Sequence, residues 1–270
     1  MITLSHGTHT VDIDYPEWEG YSPVITLAIE SVETADGYDI WDNGIAYDYR
    51  VCKIDRSLLS ETDCAALDVF FAGHRTAEIY MDIGTDSNFF PFGPDKGDSG
   101  EFTVRLISRK YGSFDQFKQF KKSYDLLMID APAYSLPSVT EQADFQIGTV
   151  DGLLYPQTDV ISDRVYGVTT GISYGGDAGS IDIRRNIHTV SFTQRCNAGL
   201  AAELVAFLTG ATGRSQDITI IAPDDFYLFD IANGASGTYI CKLIQKEIIC
   251  NQLDYEEWEI PLSFWLKEVT

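Results

Sequence analysis

A block of eleven residues occurs twice in this chain. Gly97-Asp98-Ser99-Gly100-Glu101-Phe102-Thr103-Val104-Arg105-Leu106-Ile107 returns 137 positions later as Gly234-Ala235-Ser236-Gly237-Thr238-Tyr239-Ile240-Cys241-Lys242-Leu243-Ile244. The register extends beyond the block. Ala65, Leu67, Phe70 and Gly73 fall on Ala202, Leu204, Phe207 and Gly210; Ile83 falls on Ile220; Phe89 and Phe92 fall on Phe226 and Phe229. Self-similarity at a fixed spacing means one structural unit used twice. The 270 residues are therefore expected to form a first β domain over 1–132, a linker over 133–144 and a second β domain over 145–270.

The periodicity of each copy predicts the same elements. Ser60 is an N-cap candidate with an acid three residues on, and Cys64, Leu67, Phe70 and Phe71 recur at helical spacing up to Gly73. In the second copy Asn197 caps, Leu200, Leu204, Phe207 and Leu208 form the stripe, and Gly210 ends it. Beyond each helix the period drops to two. Ile79, Met81 and Ile83 alternate with polar neighbours, as do Ile218 and Ile220. The glycines Gly97, Gly100, Gly234 and Gly237 read as turns ahead of the next strand, since glycine enters positive φ without steric cost. Segments 24–29 and 45–51, and 165–169 and 187–192, are expected strands ahead of the helices. Tyr124–Ile129 and Trp258–Leu266 close each unit, and Pro261 points to a sheet edge or a bulge at that place in its strand. The fold class is mainly β: two tandem sandwich or barrel units, each with one flanking α-helix.

Charge narrows the function classes. Nineteen Lys and Arg stand against 41 Asp and Glu, a formal charge of −22. The excess is spread evenly, with 23 acids against 11 bases in residues 1–135 and 18 against 8 in the remainder. No basic run exceeds a pair, which argues against gripping nucleic acid or an anionic membrane. The sequence shows no secretory signal pattern and no apolar run long enough to span a bilayer. Five cysteines without C-x-x-C spacing suit a reducing cytoplasm and small apolar core positions.

No catalytic, metal or cofactor site is expected. Gly97-Asp98-Ser99-Gly100 imitates a serine-protease nucleophile loop, but Glu101 follows it and the repeat replaces Asp98 by Ala235 while keeping both glycines and the serine. That is the behaviour of a turn, and no histidine sits in a matching setting to act as base. His6, His9, His74 and His188 form no metal-binding helix motif. The aromatic runs say more. Phe89-Phe90-Pro91-Phe92 and Phe226-Tyr227-Leu228-Phe229 cannot place every ring in one core by alternation. Phe89, Phe90, Phe92, Phe226, Tyr227 and Phe229 are thus candidate interface residues, with a doubly buried strand as the competing reading.

The element order resembles the tail-tube and tail-tip proteins of long-tailed bacteriophages. The parts that carry the resemblance are Leu67-Phe70-Phe71-Gly73, the cluster Phe89-Phe90-Phe92, the strand Gly100-Phe102-Arg105, and their second-copy counterparts. The resemblance implies a tail-tube-like β fold and a structural virion component, of baseplate-hub or distal-tail type, assembled in the host cytoplasm. It further implies a homo-oligomeric ring, either a trimer acting as a pseudo-hexamer or a hexamer, that contacts other tail proteins. DNA would pass through its channel without being held, and an acidic lumen would repel it. The alternative is a receptor- or carbohydrate-binding module, for which Trp18, Trp41, Trp258 and Trp265 would need to share one exposed surface.

Overall fold

The computed structural model describes residues 1–15, 23–34, 37–44, 48–84, 89–94, 100–111, 120–129, 145–154, 156, 161–172, 178–222, 228, 237–253 and 257–269. The expected linker, Gly97, Gly234, Phe226, Tyr227, Phe229 and Trp18 lie outside them.

The first half contains β1 (Ile2–His6), β2 (His9–Ile13), β3 (Val24–Thr26), β4 (Ile29–Thr34), β5 (Gly37–Asp42), β6 (Tyr49–Leu59), α1 (Glu61–Gly73), β7 (Ile79–Asp82), β8 (Glu101–Tyr111) and β9 (Phe120–Met128). The second contains β10 (Phe145–Ile147), β11 (Val150–Leu153), β12 (Ile161–Ile172), β13 (Ala178–Asn197), α2 (Ala198–Thr209), α3 (Ala211–Ser215), β14 (Ile218–Ile221), β15 (Thr238–Leu243), β16 (Glu247–Ile249), β17 (Asn251–Gln252) and β18 (Glu257–Val269). The chain is mainly β, as its periodicity predicts.

The two large sheets repeat one another. The first runs β2-β1-β7-β8-β9-β6-β3 and then β16; the second runs β11-β10-β14-β15-β18-β13-β12. Strand by strand, the first seven positions correspond. Both halves open on a hairpin with a Gly-Thr turn, Gly7-Thr8 and Gly148-Thr149, and both glycines sit near φ +60°. Glycine is favoured there because a Cβ in the left-handed region costs about 1–2 kcal/mol. These hairpins are absent from the expected element list, because their strands are too short to show a period.

The helices follow the 137-residue spacing. Ser60 Oγ accepts from Asp63 N–H and Asn197 Oδ1 accepts from Leu200 N–H, the same cap in both units. Cys64, Leu67 and Phe71 are buried, as are their counterparts Ala201, Leu204 and Leu208. Each such leucine or phenylalanine contributes about 1.5–3 kcal/mol by leaving water. Beyond the helix the spacing changes. Ile79 pairs with Val104 and Met81 with Phe102, whereas Ile218 pairs with Cys241 and Ile220 with Tyr239. Met81, not Ile83, is thus the counterpart of Ile220, and the offset there is 139. Two extra residues in the second copy fall at α3. The turn beyond is the same: Ile83 N–H donates to Gly100 O and Ala222 N–H to Gly237 O, at 3.0 and 2.9 Å. Gly100 and Gly237 both have positive φ, as expected of turn glycines.

Pro261 lies in an interior strand, not at a sheet edge, at a place where its missing N–H does no harm. Its strand β18 pairs with β13 throughout this region, but on the other side β17 stops at Glu259 and β15 begins at Phe264. The open side is closed by Gln245 Nε2, which donates to Pro261 O at 3.0 Å.

The two hairpin glycines differ in surroundings. A Cβ on Gly7 meets nothing within 4 Å, but one on Gly148 lies 2.0 Å from the Phe207 ring. We therefore expect Gly7→Ala to cost about 1–2 kcal/mol from φ alone. Gly148→Ala adds the displacement of Phe207, about 1–3 kcal/mol more. Urea unfolding of the two variants measures the difference.

Candidate functional site: the contact between the two units

The two units do not stop at their sheets. In the first, the chain leaves β3 after Thr26 and returns at Tyr49; between them β4 and β5 form a separate two-stranded arm. The arm lies against α3, β13 and β18 of the second unit. Ile25, Leu27 and Ile29 are buried in the second unit's core, and Ile40 packs against it. In return, β16 of the second unit pairs antiparallel with β3, Ile248 opposite Ile25. Leu27 N–H donates to Lys246 O at 2.9 Å and Cys250 N–H to Pro23 O at 3.1 Å. Backbone groups at that edge of the first sheet thereby find partners.

Arg214 holds this contact electrostatically. Its side chain is fully buried. Nε donates to Asp42 Oδ1 at 2.9 Å, Nη1 to Asp48 Oδ2 at 2.5 Å, Nη2 to Asp48 Oδ1 at 2.7 Å, and Nη1 also to Thr209 O at 3.3 Å. The Asp48 pair is bidentate, the geometry in which arginine is strongest. Hydrogen bonding from Asp48 outweighs burial and raises the guanidinium pKa above its ordinary value. Asp48 Oδ1 also accepts from Ala28 N–H at 2.7 Å, which fixes the base of the arm. Gly213 lets α3 turn this tightly, since a Cβ there would stand 2.2 Å from Phe207 O.

Aromatic contacts complete the surface. The Trp265 ring sits on Gly37, where any Cβ would be 1.9 Å from it, and lies 6.0 Å from Tyr38. Phe90 meets Trp258 edge-on at 5.4 Å. The candidate interface residues are thereby partly reassigned. Phe89 and Phe92 are buried in the first core, 2% and 1% exposed, so they present no interface. Phe90 packs against the other unit's core. The run Phe89-Phe90-Pro91-Phe92 therefore serves two cores, which is why alternation toward one core failed to place it. Arg214 and its carboxylates did not emerge from the sequence. The two-residue insertion at α3 hides the signal, an arginine four residues ahead of the strand in both copies, Arg75 before Ile79 and Arg214 before Ile218.

All five cysteines are buried and free. Burial pushes the Cys196 and Cys250 thiols up to about 12. His6, His9 and His74 do meet, which their spacing did not suggest. His9 Nδ1 lies 3.1 Å from His74 Nε2, the His6 and His74 rings are 4.5 Å apart, and His6 Nδ1 donates to Glu78 O at 2.8 Å. Among the described residues no group of three His, Cys, Asp or Glu is arranged to hold a metal ion. No described helix is long and apolar enough to cross a membrane.

Two outcomes follow from this geometry. Removing one partner of a buried ion pair strands the other, so Arg214→Ala should cost about 3–5 kcal/mol in chemical denaturation. His74 titrates below its ordinary value, first through burial and then through repulsion by His6 and His9. The folded state thus favours the neutral ring. That contribution is complete above about pH 6.5 and is lost as pH falls below it. Thermal melts from pH 7.5 to 5 should show a smaller acid-side loss for His74→Asn than for the wild type.

No protein-family model matches this chain, and no curated protein matches it. Among solved structures, the apo state of MrkH from K. pneumonia is similar at 12% identity over 91% of this chain and 79% of that one, with a TM-score of 0.19. A likeness of that size carries no argument.

Proposed function

We propose that this chain is a structural, ring-forming component of a bacteriophage-type tail tip, built around a channel that DNA traverses. One observation carries the reading: a single β unit occurs twice, in the same strand order, and the two copies meet through unlike surfaces. The arm and edge of one unit engage the α3 corner and β16 of the other. Contacts between unlike surfaces of equivalent units propagate head to tail, and rings are their closed form. A duplicated chain would supply two ring positions, so three copies would make a pseudo-sixfold ring. The even acidic charge suits a wall past which a polyanion slides. No catalytic role is assigned.

The alternative, a carbohydrate- or receptor-binding module, needs a platform of exposed tryptophans. Of the described ones, Trp258 is fully buried, Trp265 is engaged on Gly37, and Trp41 alone is largely exposed, at 52%. This favours the structural reading.

Negative-stain electron microscopy of the concentrated protein should show annular particles of threefold or sixfold symmetry with a central pore. Particles without a pore, or a pore lined in both units by neutral or basic residues, would count against the proposal.

A further inference from the structure

The hairpin of the first unit ends among three imidazoles that its twin lacks. Both hairpins turn on Gly-Thr, so Gly7 corresponds to Gly148, His6 to Ile147 and His9 to Val150. The spacing of the two helices places His74 on Ala211 and Phe70 on Phe207. In the second unit this corner is apolar packing: Ile147 and Val150 are buried, and the Phe207 ring fills the place of a Gly148 Cβ. In the first unit Phe70 instead meets the His9 ring, at 5.1 Å. The fold thus builds this corner without histidine, and the first unit brings three there, from β1, β2 and the C-cap of α1.

His9 Nδ1 and His74 Nε2 face each other at 3.1 Å. On a tetrahedral zinc with bonds of about 2.0–2.1 Å, two imidazole nitrogens stand about 3.3 Å apart. The pair therefore needs to open by only about 0.2 Å to take an ion between its nitrogens. His9 is exposed and His74 half-buried, so water can fill the remaining positions. The His6 ring lies 4.5 Å from that of His74, and its Nδ1–H is taken by Glu78 O, which fixes its tautomer. His74 also stands at the C-terminal end of α1, where the helix dipole favours a cation.

The geometry points to a two-imidazole site, His9 Nδ1 with His74 Nε2, for a divalent transition cation of the zinc class. Imidazole selects Zn2+, Cu2+ or Ni2+, whereas Mg2+ and Ca2+ go to carboxylates. Among the described residues no three side chains form a full ligand set, so the ion keeps water on its other positions. Without an ion, one ring donates its N–H to the other. When the ion enters, that proton moves to the outer nitrogen of the donating ring, both lone pairs face the metal, and no net proton is released. The bound ion ties β2 to the end of α1, across 65 residues of sequence. The site is independent of the ring reading.

Calorimetric titration of Zn2+ into the full-length chain, with excess Mg2+ to occupy the carboxylates, tests this. One site per chain is expected, with a melting temperature that rises on saturation. His9→Asn and His74→Asn should each abolish the rise and weaken the site at least about tenfold, a loss that even an outer-shell partner carries. In imidazole-nitrogen NMR spectra of the wild type, Zn2+ should move the His9 Nδ1 and His74 Nε2 signals and leave those of His188 in place. Zn2+ bound equally by the wild type and both variants would be carboxylate binding and would overturn the site. Wild-type His9 and His74 signals that Zn2+ leaves unmoved would overturn it as well. If an asparagine variant does not fold, the wild-type spectra alone decide.

Discussion

A guanidinium without exposed surface has to be paired, and Arg214 finds its carboxylates in the other half of the molecule. Asp42 and Asp48 lie more than 160 residues away in sequence, at the end of β5 and just ahead of β6. Much of the inter-unit contact is arranged around that requirement. The arm must fold back far enough to deliver Asp42, and Asp48 must secure the arm's base through Ala28. Once the arm is there, Ile29 and Ile40 cover the second core and Trp265 closes over Gly37. Desolvating such ions is expensive, which offsets much of the attraction within the pair.

The second constraint is the sheet edge. An open sheet presents unpaired N–H and C=O groups along its outer strands. Here the first unit's edge strand β3 is covered by β16, a short strand inserted between β15 and β18 of the second unit. The exchange runs both ways: the first unit lends apolar residues 25–29 to the second core, and the second unit lends a strand to the first sheet. The two units are thereby interlocked.

Much of each unit was legible in the sequence because its signals are local. The caps Ser60 and Asn197 and the turns at Gly100 and Gly237 depend on neighbours a few residues away, and the structure places them as expected. The same locality explains the errors. A two-residue insertion leaves strand phase unchanged, since side chains alternate with period two. The pattern Ile79, Met81, Ile83 therefore still matched at 137 residues although the true pairing is offset by 139. The arm, β16 and the Arg214 cluster are long-range features. Their residues look like ordinary loop polar groups until the fold brings them together. Phe89 and Phe92 show the converse: the run is ambiguous between an interface and a buried strand in the sequence because its members divide between two cores.

The central claim is that the two repeats unfold as one body, because each completes the other. Differential scanning calorimetry tests it most directly. The account predicts one transition whose calorimetric enthalpy equals its van't Hoff enthalpy. Two resolved transitions in the wild-type chain, each carrying about half of the total enthalpy, would contradict it.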